Sequence, residues 1–226
     1  MNPLKDKILR EIVEELERKN IIRKSESDWN SPALVIPKAN GKHRLVIAYN
    51  YINELFVKEI TPPPLITEVI DNLREAKYFT TIDLTDGYYQ IALHPNSRKI
   101  TAFIAGKIKY KFNRLPQGLV NAPSIFQKIM NCILNEEIGT FTTCYMDDIL
   151  IYSETKEDHL LHLEKIFKKL GAFNLIVNKK KTKIGYNYAC YLGFKISYKK
   201  VEIDPERIVN LEKYSILKTR KDIERF

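Results

Sequence analysis

The chain has 226 residues, 44% of them hydrophobic and 29% charged, enough apolar content to bury a core and too much for a disordered chain. Lys and Arg exceed Asp and Glu by 37 to 28, a net charge of +9 with pI near 9.3, which favours a polyanionic partner. Three scattered cysteines, Cys132, Cys144 and Cys190, form no CxxC pair, which argues against a disulfide framework or a structural zinc site. The charged start lacks the apolar stretch of a secretory signal, and no apolar run reaches the roughly 20 residues of a membrane span. An intracellular protein with reduced thiols is the expectation.

Leu4, Ile8, Leu9, Ile12, Val13 and Leu16 recur at helical spacing and predict an amphipathic first helix. Ala33–Ile36 and Arg44–Tyr49 read as strands joined through Asn40-Gly41, a hairpin signal. Thr61-Pro62-Pro63-Pro64 is a stiff connector and the best internal boundary, with a helix expected over 65–76. Tyr78–Leu84 predicts a strand, Ile100–Ala105 and Ile108–Phe112 a second hairpin, and Asn121-Ala122-Pro123 a helix start. Phe141–Ser153 places two apolar β-rich flanks around Asp147-Asp148. A helix should follow, capped at Thr155 and stopped at Gly171. Strands are expected at Leu175–Asn178, Tyr188–Ile196 and Val201–Ile203, and Asp204-Pro205 opens a last helix. This mixture gives an α+β class with a mainly antiparallel sheet.

The apolar setting of Asp147-Asp148 sets the chemistry. Adjacent carboxylates there suffer desolvation and mutual repulsion unless a turn lifts them to the end of a sheet, where a cation can hold them. Hard oxygen ligands suit Mg²⁺. A plain Asp-Asp turn in water is the competing reading. Asp83 ends another strand before Asp86-Gly87 and offers a third carboxylate, although Asp83 or Asp86 could equally cap a turn. Three carboxylates can hold two Mg²⁺ ions, and two metals about 3.5–4 Å apart serve an in-line phosphoryl displacement. A nucleoside triphosphate and a primer 3′-hydroxyl would supply the reacting oxygens.

Asp83 with its surroundings, Leu115-Pro116-Gln117-Gly118-Leu119-Val120-Asn121-Ala122-Pro123-Ser124-Ile125-Phe126-Gln127, and Tyr145-Met146-Asp147-Asp148 occur in that order. They resemble the polymerase domain of reverse transcriptases from gypsy-type long-terminal-repeat retrotransposons, relatives of the retroviral enzymes, from about residue 21 onward. The resemblance implies right-hand fingers and palm with an antiparallel palm sheet backed by helices. It implies a lead-in helix over 1–20, fingers and palm over 21–204 (fingers about 21–64 and 85–118), and the start of a truncated connection over 205–226. The thumb would be absent, and the chain reads as a piece of a Pol polyprotein or a truncated reading frame.

By the same likeness Asp83, Asp147 and Asp148, helped by the Leu84 carbonyl, would ligate two Mg²⁺ ions, with Mn²⁺ as the alternative metal. Backbone N–H groups of Asp86, Gly87 and Tyr88 would cradle the triphosphate of an incoming deoxynucleotide. Tyr88 would block a ribose 2′-hydroxyl, although either Tyr88 or Tyr89 could instead face the core. Gln117 would lie against the nucleotide sugar, and Lys38 and Arg44 on the first hairpin would meet the triphosphate. Lys181 aligns with the lysine that protonates the leaving pyrophosphate; a solvated basic turn or nuclear-localisation patch is the plain reading of that lysine run. Tyr191-Leu192-Gly193-Phe194 resembles the hairpin that positions a primer end. His159 and His162 read as structural rather than metal ligands. The partners implied are an RNA or DNA template with primer and deoxynucleoside triphosphates, with no membrane, in a cytoplasmic particle or the nucleus. One departure stands out. The family's acidic residue and Arg flanking an aromatic are here Ala48 and Asn50 around Tyr49. That departure supports a second reading, a catalytically impaired nucleic-acid-binding remnant.

Overall fold

The computed structural model describes residues 3–37, 41, 43–59, 61, 73 and 75–205. The expected helix over 65–76, the last helix after Asp204-Pro205 and Lys38 lie outside the described residues, apart from Leu73, Glu75 and Ala76. The helices are α1 (Pro3–Arg18), α2 (Asn50–Glu54), α3 (Ala122–Ile133) and α4 (Lys156–Ala172). The strands are β1 (Ile22–Lys24), β2 (Ala33–Pro37), β3 (His43–Ile47), β4 (Tyr78–Asp83), β5 (Phe103–Ala105), β6 (Ile108–Phe112), β7 (Thr142–Tyr145), β8 (Asp148–Ser153), β9 (Lys183–Tyr186), β10 (Tyr188–Tyr191), β11 (Phe194–Ser197) and β12 (Lys200–Ile203). No helix among the described residues is long and apolar enough to cross a membrane. The chain divides into two interleaved compact units, Met1–Pro62 with Thr85–Cys132, and Pro63–Leu84 with Ile133–Phe226.

In the first unit, Leu9, Val13 and Leu16 bury one face of α1. The helix ends when Asn20 enters the left-handed region (φ 55°) and its N–H and that of Ile21 bond back to Glu17 and Leu16. A three-stranded antiparallel sheet, ordered β1-β6-β5, and the β2–β3 hairpin close over a core that includes Ile22, Ile47, Phe103, Phe112 and Leu115. Tyr49 is buried there and donates its hydroxyl to the Thr101 carbonyl at 3.1 Å.

The strand expected over Arg44–Tyr49 is shorter, and Ala48 and Asn50 do not lie on one strand. β3 ends at Ile47, Tyr49 turns with φ −82° and ψ 21°, and Asn50 is the first residue of α2. Anchoring the Tyr49 ring ends the strand, so the two-residue alternation of a pleat does not apply across it.

The second unit is built on an antiparallel sheet ordered β7-β8-β4-β9. Register puts Phe79 opposite Tyr152, Thr81 opposite Leu150 and Asp83 opposite Asp148. Those residues share the face that packs on Ala189, Tyr191 and Ile196 of the β10-β11-β12 sheet. The other face, with Thr80 and Ser153, meets α4 through His159. Both faces are thus covered, which explains why Ile149-Leu150-Ile151 is uninterrupted apolar sequence at 0% exposure. Each such side chain contributes about 1.5–3 kcal/mol by leaving water.

Three other expectations need correction. α4 runs through Gly171, and Asn174 (φ 56°) takes the left-handed position after it. Leu175–Asn178 is not a strand; only Val177 bridges, to Leu84. The missing strand is β9, which pairs with β4 past a bulge between Phe79 and Thr81. Tyr188–Ile196 is two strands broken at Leu192-Gly193, both with positive φ.

Candidate active site

β7 and β8 are joined by a two-residue turn, Met146-Asp147, closed by the Tyr145–Asp148 pair. Tight hairpins want positive φ at the first turn position. Met146 supplies it at φ 56°, a conformation that costs a non-glycine residue on the order of 1–3 kcal/mol and that clusters at functional sites. The Cys144 thiol donates to the Met146 carbonyl at 3.5 Å. Burial, then the Asp148 and Asp147 charges, push that thiol up to about 12, so it stays protonated and serves the turn.

The turn lifts Asp147 and Asp148 to the sheet end at which β4 delivers Asp83. Like charges directly opposed across a strand pair are destabilising. The Asp148 carboxyl is raised by burial first, then by Asp147 and Asp83, while Lys181 pulls it back. The cluster is therefore short of positive charge.

Lys181 supplies part of it. The turn at Asn178 places it: Asn178 N–H donates to the Asp83 carbonyl at 2.8 Å, and Lys181 and Thr182 N–H both return to the Asn178 carbonyl. The Lys180 N–H takes the Asn178 side chain at 3.2 Å. Lys181 Nζ then donates to Asp83 Oδ2 at 2.9 Å. Its pKa is raised, chiefly by that bond. The lysine is 66% exposed and Asp83 20%, so the pair opens toward solvent. Leu84, 2% exposed, holds the β4 end through its bridge to Val177.

Asp83, Asp147, Asp148 and Lys181 thus meet at one sheet end, yet among the described residues no three His, Cys, Asp or Glu side chains are gathered into a ready metal cage. Three carboxylates, one of them raised by burial and then by its neighbours, remain the hard-oxygen chemistry that a divalent cation satisfies.

The other expected residues belong to the first unit. Asp86 is left-handed (φ 48°) and opens a tight turn of helix, Gly87–Gln90, which its carbonyl starts by accepting from Tyr89 N–H at 2.8 Å. Gly87 is buried in that turn. Both tyrosines lean on the core: Tyr88 packs on Phe126 at 5.2 Å between rings, and Tyr89 stacks on Phe112 at 6.0 Å. Burial pushes the Tyr89 phenol up to about 12. Gln117 is exposed on a loop pinned by Asn53, which donates to the Gly118 carbonyl and accepts from Val120 N–H, both at 2.9 Å. Arg44 is exposed on β3 opposite Ile36.

Sequence reasoning passed over Asn178 and Asn53, and it read His159 and His162 as structural without the partners that make them a polar layer behind the sheet. There His159 Nε2 meets Thr80 Oγ1 at 2.8 Å, and Ser153 Oγ lies 2.8 Å from both His159 Nδ1 and His162 Nδ1. His162 also stacks on Phe141 at 3.8 Å between rings. An Asn ahead of a lysine run is a turn signal that could have marked Asn178.

Comparison with known proteins sets these features in a family. Residues 36–196 match the model described as reverse transcriptase (RNA-dependent DNA polymerase). The Pol polyprotein of the Drosophila melanogaster transposon gypsy is 39% identical over 208 residues, covering 89% of this chain and 20% of that polyprotein. The transposon opus polyprotein of the same fly is 35% identical over 95% of this chain and 22% of its own length. The chain thus spans about a fifth of these curated relatives. Among solved structures, a foamy viral protease-reverse transcriptase in complex with double-stranded DNA superposes with TM-score 0.88 at 28% identity, over 99% of this chain and 39% of that one. The same viral protein with an RNA/DNA hybrid gives TM-score 0.86 at 27% identity, over 100% and 30%.

Proposed function

We propose that this chain, which belongs to the reverse transcriptase (RNA-dependent DNA polymerase) family and resembles the gypsy-type Pol polyproteins, adds deoxynucleotides to a primer 3′-hydroxyl on an RNA or DNA template. The observation that carries the reading is the meeting of Asp83, Asp147 and Asp148 with Lys181 at one sheet end. In this reading the first unit serves as fingers and the second as palm.

Asp83, Asp147 and Asp148, with the Leu84 carbonyl, would hold two Mg²⁺ ions. Such ions, when bound, neutralise phosphoryl charge and lower the pKa of the attacking hydroxyl. The protein's own residues do the rest. The hairpin and β4 fix three carboxylates on a rigid edge, so that charge stabilisation needs no reorganisation during reaction. Lys181, on its Asn178 turn, is a protonated amine beside the reacting groups and donates its proton to the leaving pyrophosphate. Backbone N–H groups of Asp86, Gly87 and Tyr88 offer an anion nest for the triphosphate. The Tyr88 ring, braced by Phe126, stands against a ribose 2′-hydroxyl. Arg44 and Lys38 supply countercharge, and Gln117 meets the sugar.

The reading is tested by dTMP addition to oligo(dT) on poly(rA) with Mg²⁺ or Mn²⁺. Addition is expected, and its loss in Asp83→Asn with template-primer binding retained supports the site; undiminished synthesis by Asp83→Asn overturns it. The second reading, a remnant that binds nucleic acid without catalysis, is favoured by one observation, Ala48 and Asn50 beside the buried Tyr49. It predicts no addition by the natural chain and recovery in Ala48→Asp/Asn50→Arg.

A further inference from the structure

The outer face of the β1-β6-β5 sheet carries an arrangement that folding alone does not favour. Ile22, Tyr110 and Phe112 point into the core, so Arg23, Lys109 and Lys111 project from the opposite side. Register sets Arg23 directly across from Lys111. Like charges so placed repel, and no acid intervenes between those strand positions.

At the end of this face lies a cleft of about 260 Å³ whose lining holds three guanidinium groups, Arg23, Arg98 and Arg114, with Asn20 and Asn113 and no carboxylate. Two of the three are aimed by neutral acceptors. Arg98 donates to the Leu93 carbonyl at 3.0 Å and to Asn113 Oδ1 at 3.3 Å; Arg114 donates to the Gln90 carbonyl at 3.0 Å. Asn113 is itself buried and held by Asn20 at 2.9 Å. Among the described residues no ion pair joins these arginines to an acid. Half-buried arginines fixed by carbonyls keep their remaining N–H groups for a ligand that accepts several hydrogen bonds and carries negative charge. Arg23 also lines the adjoining groove along the strands, with Lys24, Lys107, Lys109 and Lys111 and a single carboxylate, Glu26; Lys109 Nζ donates to the Ser27 carbonyl at 2.7 Å.

We infer that this cleft and groove form a second phosphate-binding surface of the first unit, separate from the residues assigned to the incoming nucleotide, and that its ligand is the phosphodiester backbone of a nucleic-acid strand. The extension from a compact arginine cleft into a row of lysines fits successive phosphates better than one small anion. Forked guanidinium donors suit phosphate and carboxylate alike; the choice of phosphate, and of nucleic acid as its source, rests on the polymerase reading.

The test is binding of a fluorescent RNA/DNA duplex by the natural chain and by Arg23→Gln/Lys111→Gln/Arg114→Gln, across a salt series, beside Lys156→Gln/Lys168→Gln/Lys200→Gln of equal net charge. Each lost phosphate contact should flatten the log–log salt slope by about 0.9. The cleft variant should lose about tenfold or more in affinity and between one and three units of slope, with an unchanged melting temperature. Equal losses in both variants, or none in the cleft variant, overturn the inference. So does a melting-temperature rise with tripolyphosphate that the cleft variant lacks while duplex binding is unaffected, which assigns the cleft to a small anion. If the cleft variant unfolds, the single Lys111→Gln protein, altered only on the sheet surface, should still lose about one unit of slope; full retention counts against the inference. The assay reads binding alone, so absent primer extension with cleft-dependent binding strikes the polymerase reading, and retained extension with cleft-independent binding strikes this one.

Discussion

Lys181 Nζ and Asp83 Oδ2 lie 2.9 Å apart, joined across 98 residues of chain. The bond links the end of β4 to the turn that follows α4, and it sets a positive charge beside one of three crowded acids. Removing the ammonium should therefore act on chemistry more than on binding. Lys181→Ala is expected to lower kcat by about a hundredfold, in the range of a lost general acid, with KM for the nucleotide changed only a few-fold. Lys181→Arg should recover little, because a guanidinium does not give up its proton. Steady-state and single-turnover kinetics read the split.

Asp148 predicts the metal response. Its carboxyl is raised by burial and by the Asp147 and Asp83 charges, so its ionised form opposes folding until a cation arrives. Without metal, Asp148→Asn should melt at or above the natural chain. With Mg²⁺ at about 100 times its dissociation constant, the natural chain should gain on the order of 2.7 kcal/mol and the variant clearly less. Thermal melts with and without EDTA decide it.

The polar layer behind the sheet predicts the acid limb of stability. His159 is lowered by burial and then by His162; His162 is lowered by burial, against a raising pull from Asp158. A folded-state pKa below the unfolded value near 6.5 means that the unfolded chain binds more protons as pH falls. The stability these histidines contribute is thus present above about pH 6.5 and lost below it. Melting temperature should drop between pH 7.5 and 5.5, and His159→Gln should flatten that drop. Glu137 acts in the same direction at lower pH: burial pushes it up, but bonds from Lys169 at 2.7 Å and Lys165 at 2.9 Å leave it below its ordinary value.

Gly118 tests the loop that carries Gln117. Its φ is +98°, and an added Cβ would stand 3.3 Å from the Ile47 carbonyl oxygen and 3.5 Å from the Tyr49 ring. Gly118→Ala should cost about 1–3 kcal/mol in urea unfolding and impair nucleotide addition together.

The meeting of Asp83, Asp147 and Asp148 at one sheet end was legible because its signal is local: charge inside apolar sequence forces a turn at a sheet end, and register does the rest. The interleaved strands and hairpins were legible for the same reason. The misreadings came from tertiary contacts. β9, with Lys183, Ile184 and Tyr186 all exposed, has no buried periodicity and exists because β4 offers it a partner. Gly171 did not stop α4, because Asn174 could take the left-handed turn three residues later. Tyr49 ends β3 by reaching Thr101, a contact no local pattern announces. The arginine cleft gathers residues from positions 23, 98 and 114, which only the fold brings together.

The most direct test of the central claim is single-nucleotide extension of oligo(dT) on poly(rA) by the natural chain and by Asp147→Asn, in Mg²⁺, with duplex binding measured on the same preparations. Metal-dependent addition by the natural chain is expected, with a loss of at least about a thousandfold in the variant, which still folds and binds. Equal extension by both proteins would contradict it.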